Sequence, residues 1–452
     1  MAVGAVAIVA ESPTRPDDVG CCGSVHASFP SFDPELPEPH LEFWGEREAL
    51  ELLRGWSRSR MTSPWATLLA GLCRVCCWVP PRAVLPAIVG GAASLNLFAA
   101  LVGPSGAGKG AAEAVAAEAL ALAGHDVFGA NVGSGEGIAH AYAHRVKGEV
   151  VMDREAVLFS VPEVDSLTAL GNRQGSTLLS QLRSAWTGER LGFAYADATR
   201  RIPLEAHGYR MCLVLGVQPG RAGPLLGDSD GGTPQRFVWV WVTDPHGPRP
   251  DALPETPAPL AWQWGDRDQV KILSSSVGNS RIVFEVCEAA RSDILDNRYS
   301  QQRGSTDAID GHTMLCRLKV AAALGVLDGR LSVTDDDWRL SQTVMAVSSQ
   351  TRDSVQASLT RTREAADTAR GRSDGRRQSV AEETLWVAKV SRVSQRLLTI
   401  LEAGKAPEGT LTNKVTSRDR EAVPEALEAL EKTKRLSRTE QDGHVYWERV
   451  GQ

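Results

Sequence analysis

The feature that most constrains this chain is the run LNLFAALVGPSGAGKGAAEAVAAEAL at residues 95–120. An apolar stretch, Leu95 to Val102, reads as a buried strand, and a glycine-rich loop comes directly after it. The Ala/Glu-rich segment beyond the loop has strong helix propensity. Strand, G-x-x-x-x-G-K loop and helix in this order make a phosphate-binding loop. The backbone of Gly103, Pro104, Ser105, Gly106, Ala107, Gly108, Lys109 and Gly110 can cradle a triphosphate, with Lys109 reaching its β- and γ-phosphates. The last position departs from the pattern. Where Ser or Thr offers a hydroxyl to Mg²⁺, this chain has Gly110.

The rest of the chain has to carry such a strand in a sheet, and 452 residues suffice for two or three domains. Residues 1–40 are rich in Pro, Gly, Ser and Asp without periodicity and read as a disordered leader. A helical N-terminal region (41–94) comes next. Its signals are EFWGEREALELLRGW at three- and four-residue spacing, then Ser63-Pro64 as an N-cap pair, with Pro80-Pro81 as the stop. Arg54, Arg58 and Arg60 lie there, as a solvated face or as phosphate contacts. The core is expected over 95–245. In it, AVLFSVPEVDSL is an apolar strand ending in acids, Glu163 and Asp165, which a parallel sheet would bring beside the phosphates. RMCLVLGVQPG is a second such strand and ends at Gln218. Between them, two β-prone runs flank a polar turn carrying Arg200 and Arg201. Arg236 stands just ahead of the apolar run FVWVW.

A connector and helical lid are expected over 246–365. Thr334 through Asp337 form a capping box with Asp in the Glu/Gln place. Arg317 reads as a nucleotide contact or as an exposed cation. A polar linker (366–379) leads to a tail (380–452) ordered helix, short helix, helix, hairpin, with Asp442-Gly443 as the turn. That order is a winged helix-turn-helix. Lys414, Arg418 and Arg420 lie near the start of its third helix and are candidate DNA contacts. The helix itself carries Glu421, Glu425, Glu428 and Glu431, which repel phosphate and leave protein docking as an alternative.

Several phrases together resemble a known family. SPWATLLAGLCRV, SLNLFAALVGPSGAGKG, PEVDSL, YRMCLVLGVQPG, GTPQRF and the 311–346 segment are similar to helicase/primase-like ATPases of actinobacterial phages and integrated mobile elements. More broadly, residues 95–350 resemble AAA+ ATPases of the superfamily 3 replicative-helicase kind. The resemblance implies an α/β fold, with a P-loop (AAA+-like) core and a helical lid. In that family's Asp-Glu pattern the Asp holds Mg²⁺ and the Glu polarises the attacking water. Here the pair is Pro162-Glu163, so Glu163 stands in the catalytic-base position and the Mg²⁺ aspartate is missing; Asp165 is the remaining candidate metal ligand. The resemblance further implies that Gln218 senses the γ-phosphate and that Arg236 completes a neighbour's site in a homo-hexamer, with Arg221 as a second candidate. Arg200 and Arg201 would grip single-stranded DNA in the pore. ATP and Mg²⁺ are the implied ligands.

Composition sets the outer bounds. A net charge of −6 gives no global attraction for nucleic acid, so DNA contact rests on local patches. Of the eight cysteines, Cys73, Cys76 and Cys77 resemble half a zinc site, and they read as reduced core thiols on a helix. The uncharged stretch Ala83 to Gly108 is broken by Pro86, Gly90, Gly91 and the phosphate loop, which argues against a membrane span. With no basic segment at Met1 the chain is expected to be cytoplasmic. Two functions are compatible with these features. One is an ATP-dependent DNA helicase or translocase. The other, suggested by the paired losses at Gly110 and Pro162, is a nucleotide-gated DNA-binding protein that does not hydrolyse, or a scaffold that recruits a helicase.

Overall fold

A computed structural model describes residues 38–121, 127–165, 167, 177–192, 202–229, 231–264, 281–304 and 312–451. Most of the expected leader, and the tip bearing Arg200 and Arg201, lie outside these residues. The chain divides into two compact units, Met1–Thr362 and Arg363–Gln452.

The first unit is mixed α/β. Helix α1 (Pro64–Cys76) begins where the sequence places it: Ser63 Oγ accepts from the Ala66 amide, and Pro64 needs no donor at the first helical position. Ser63 Oγ also donates to the Trp241 carbonyl at 2.8 Å, so the cap ties α1 to the sheet. That sheet has five parallel strands: β1 (Phe98–Val102), β2 (Gly129–Ala130), β3 (Ala156–Val161), β4 (Arg210–Val217) and β5 (Phe237–Trp241). Their order across the sheet is β2-β3-β4-β1-β5. All residues of β1 and β4 are buried. This is why both strands read as unbroken apolar runs rather than alternating ones.

Strand order decides where a ligand site can form. From β1 the chain runs through helix α2 (Lys109–Ala119) to the far edge, returns through β3 and β4, then crosses to β5 on the other side of β1. The winding changes side at β1, and in open parallel sheets ligands sit at such a point, beyond the carboxyl ends of the strands. The register pairs Val102 with Val217 and with Trp241, and Val161 with Leu215. The residues that leave these strands, from Gly103, Pro162 and Gln218, therefore emerge along one edge.

The opposite end of the sheet holds two buried cations. Arg210 donates to the carbonyls of Val79, Pro80 and Ala83 and to Asn96 Oδ1, at 3.2, 2.8, 2.9 and 3.3 Å. Lys319, on helix α3 (Thr313–Leu327), donates to the carbonyls of Asn96 and Trp186 and lies 3.8 Å from the Trp186 ring centroid. Asn96 joins them, since its own amide donates to the Ala185 carbonyl at 2.6 Å and its Oδ1 accepts from the Met211 amide. Burial lowers both cations' pKa values, and carbonyl dipoles rather than carboxylates solvate them.

Helix α4 (Asp335–Ile400) starts with the reciprocal bonds of a capping box: the Thr334 amide donates to Asp337 Oδ2 at 2.8 Å, and the Asp337 amide to Thr334 Oγ1 at 3.2 Å. Arg330 and Arg47 pair with the same aspartate, which fixes the N-terminal helices against this turn. Residues 366–379, expected as a linker, are helical and exposed on every face. Arg54, Arg58 and Arg60 are ion-paired within the unit, with Glu38, Asp244 and Glu118 among their partners.

Cys73, Cys76, Cys77, Cys212 and Cys316 are buried, unbridged thiols. Among the described residues no group of three His, Cys, Asp or Glu is placed to hold a metal ion, and no helix is long and apolar enough to cross a membrane.

The second unit has its own core, in which Val393 and Leu397 of α4 meet Leu411, Leu427, Leu430 and Trp447. Helix Glu408–Lys414 and helix Val423–Lys432 come after a short strand, Ala406–Pro407. Strands Leu436–Gln441 and His444–Arg449 close a three-stranded antiparallel sheet. The hairpin turn is Asp442-Gly443, both with positive φ (51° and 74°), as a two-residue primed turn requires.

Candidate functional site

Three strand ends meet at the edge defined by β1. From β1 comes the loop Gly103–Gly108, which turns into α2. Gly106 and Gly108 have φ of 78° and 93°, conformations that side-chain-bearing residues avoid. Gly103 has another reason to be glycine: a Cβ there would collide with Val242, the residue after β5. Beyond the Ala107 and Ala112 amides, which bond to Pro104 and Gly108, no loop or first-turn amide from Ser105 to Ala111 makes a backbone hydrogen bond among those described. A helix N-terminus with its amides unengaged is an anion site.

Lys109 opens α2 and folds back over the loop. Its Nζ donates to the carbonyls of Gly103 and Pro104 at 3.0 and 2.8 Å. Burial pulls its pKa below the ordinary lysine value, and the negative charge of Glu163 opposes that. Glu163, just beyond β3, is exposed; its Oε1 lies 3.4 Å from Gln218 Nε2, at the end of β4. Lys109, Glu163 and Gln218, far apart in sequence, are thus brought to one place. Gly216 makes this possible, and the sequence offers no signal for it beyond one glycine in an apolar strand. A Cβ on Gly216 would strike the Pro162 carbonyl and press on Lys109 Cδ at 3.1 Å.

Other expected residues are placed differently. Asp165 is ion-paired with Arg221, and no group of three His, Cys, Asp or Glu among the described residues includes it in a metal site. Arg236 is half-buried. Its Nη1 donates to the carbonyls of Gly231 and Gly232 at 3.1 and 2.7 Å, and its guanidinium lies 5.5 Å from the Trp186 ring centroid. It precedes β5, at the end of the sheet opposite the glycine loop. Arg317 stacks on Trp338 at 3.7 Å and donates to the Trp338 carbonyl, so it is engaged inside the lid region.

His312 packs edge-on against Trp186 beside Arg236. Burial, then the charges of Arg236 and Lys319, lower its pKa from 6.5 to about 4. The unfolded chain binds this proton more readily, so the stability that neutral His312 contributes is fully present above pH 6.5. It is lost as the pH falls toward 4. Urea midpoints measured from pH 7.5 to 4 should fall in this window, and His312→Phe should flatten that part of the curve.

Two features near the loop have no signal in the sequence. Glu113, one turn into α2, accepts from Ser160 Oγ of β3 at 3.2 Å. Burial raises its carboxyl pKa, and the Ser160 hydroxyl and Arg74 oppose the shift. Beside Ala107 a cavity of about 270 Å³ opens, lined by Met61, Thr62, Val242 and Pro248 among others.

In the second unit, Lys414, Arg418 and Arg420 are all exposed, at the end of one helix and in the turn before the next. The acids Glu421, Glu425, Glu428 and Glu431, the first of them in the turn before that helix, are exposed as well. Glu421 pairs with Lys389, and Glu425 accepts from Trp386 Nε1 at 2.7 Å.

Compared with known proteins, the sequence matches no family model and no curated protein.

Proposed function

We propose that this chain is a P-loop ATPase of the AAA+ kind, acting on DNA as a helicase or translocase in the replication of a mobile element. The observation that carries the reading is the convergence of Lys109, Glu163 and Gln218 at the carboxyl edge of the sheet, next to unengaged loop amides. An amide cradle with one ammonium suits a polyphosphate. The cavity beside Ala107 takes the base of the same nucleotide.

Glu163 accepts the proton of the water that attacks the terminal phosphorus, and Gln218, already within reach of Glu163, holds that water in line. The donor set fits Mg²⁺, which takes hard oxygen ligands, keeps several waters and needs only one or two carboxylates. When bound, the ion neutralises charge on the phosphate oxygens. Lys109 would add its own positive charge to those oxygens. Arg236 is proposed to act on a neighbouring subunit of a hexamer, which requires its bonds to Gly231 and Gly232 to be exchanged for phosphate.

The second unit is proposed to be a winged helix. Its strand, two helices and hairpin run in that order, and the ion pair of Glu421 with Lys389 offsets part of the acidity that would oppose DNA. Arg200 and Arg201 remain proposed contacts to single-stranded DNA. A non-hydrolysing, nucleotide-gated DNA binder is the second reading. It is favoured by the engagement of Asp165 with Arg221, which leaves Glu163 as the exposed acid at the β3 end without an ion-pair partner among the described residues.

The two readings part on Mg²⁺-dependent ATP hydrolysis with and without single-stranded DNA. DNA-stimulated turnover is the expected result, and tight ATP binding with no turnover would leave the switch. In the same preparation, replacing Lys414, Arg418 and Arg420 with Ala should lower duplex affinity and make the log–log salt slope shallower by about 3. An unchanged slope would remove the second unit from the DNA interface.

A further inference from the structure

The two polar groups missing at Gly110 and Pro162 have counterparts one step deeper in the same two elements. Glu113 lies three residues after Gly110, on the same face of α2 and about 4.5 Å further along its axis. Ser160 lies two residues before Pro162, on the same face of the sheet and about 6.6 Å back along β3. The two side chains meet, Ser160 Oγ donating to Glu113 Oε1 at 3.2 Å. In the usual arrangement the helix brings a hydroxyl and the strand a carboxylate. Here the helix brings the carboxylate and the strand the hydroxyl.

We propose that Glu113, oriented by Ser160, is the carboxylate that holds the water shell of the divalent cation in this site. Three observations converge. Glu113 meets Ser160 two residues before Pro162, with the charge of Arg74 also acting on it, and the lean of helical side chains toward the N-terminus is the direction of the glycine loop. Gly110 leaves the space at its own Cβ position open: apart from its chain neighbours and its own helix backbone, no atom lies within 4 Å of a Cβ placed there. Ser160 occupies only Oε1, and Oε2 makes no hydrogen bond among the described residues. A deeper carboxylate suits Mg²⁺, which gives up its waters reluctantly and is readily held through them. The glycine at 110 is then the gap through which that water layer passes.

This inference rests on the nucleotide-site reading, and the test separates the two. Binding of a fluorescent ATP analogue is titrated in EDTA and in Mg²⁺ for the wild-type protein, Glu113→Gln, Ser160→Ala and Glu113→Gln/Gly110→Ser. In EDTA the wild type, Glu113→Gln and Ser160→Ala should bind alike, and the double variant is read by its Mg²⁺-to-EDTA ratio. Mg²⁺ should tighten wild-type binding at least tenfold, Glu113→Gln should lose that gain, and Ser160→Ala should lose part of it. Gly110→Ser, added to Glu113→Gln, should restore some of it by supplying the hydroxyl in its usual place. Equal Mg²⁺ enhancement in wild type and Glu113→Gln would overturn the role of Glu113 while leaving the nucleotide site intact. An absence of analogue binding by any of them, in EDTA or Mg²⁺, would overturn both.

Discussion

Lys109→Ala is expected to weaken ATP binding about a hundredfold, while Glu163→Gln should leave binding intact and abolish turnover. The first figure comes from the loss of charged hydrogen bonds to phosphate, at about 1.5–3 kcal/mol each. The second comes from the loss of a proton acceptor, typically worth about 10²–10⁴ in rate. The pair is diagnostic because both side chains serve the same cleft but in different steps. Lys109 sits in the loop mouth and Glu163 is exposed beyond β3; in the proposed mechanism the lysine would meet the ligand's ground state and the glutamate would act only on water. Equilibrium binding and single-turnover hydrolysis, measured side by side, check the split. If Glu163→Gln hydrolyses at the wild-type rate, another group is the base.

Arg210→Met is expected to destabilise the first unit by about 4 kcal/mol, beyond what ordinary substitutions cost. The guanidinium is fully buried and satisfies three carbonyls and the Asn96 side chain. Methionine matches its bulk in part, but leaves acceptors without donors at about 1–3 kcal/mol each. Urea unfolding monitored by tryptophan fluorescence measures this. An unchanged midpoint would mean that the Pro80–Ala83 turn finds other donors. The contrast with a buried ion pair matters, since no carboxylate is stranded when this cation is removed, and the loss comes from carbonyls alone.

Local chemistry was the readable part of this sequence. Ser63-Pro64, Thr334 with Asp337, and Asp442-Gly443 each do locally what their residue types dictate, because caps and two-residue turns depend on neighbours within a few positions. Four of the five parallel strands, all but Gly129–Ala130, were legible for a similar reason: burial imposes an apolar run. The helix through 366–379 was not legible. It is polar all round and carries Gly371 and Gly375, so no apolar stripe marks it. The hairpin of Ala143–Val146 and Glu149–Met152 was also missed; its turn places Lys147 and Gly148 at positive φ, and lysine is a weak sign of that conformation.

The candidate site was legible by type and only partly by partner. Glycines and a lysine at fixed spacing announce the loop, and an acid after an apolar strand marks a strand end. That Asp165 faces Arg221, that Arg236 lies against Trp186, and that Glu113 meets Ser160 depend on which strands become neighbours. Spacing along the chain does not encode that. Gly216 illustrates the point. Its significance comes from the Pro162 carbonyl and the Lys109 stem, both more than fifty residues away.

If the loop binds phosphates as proposed, the two carbonyls that hold Lys109 Nζ would act as a selectivity filter. An arriving anion must draw the ammonium off its own backbone, so orthophosphate, with few oxygens to offer, competes poorly with the latch. A longer polyanion reaches the amides and the ammonium together. The resting protein would then ignore the cell's abundant small phosphates and respond to the rarer ligand long enough to undo both bonds at once.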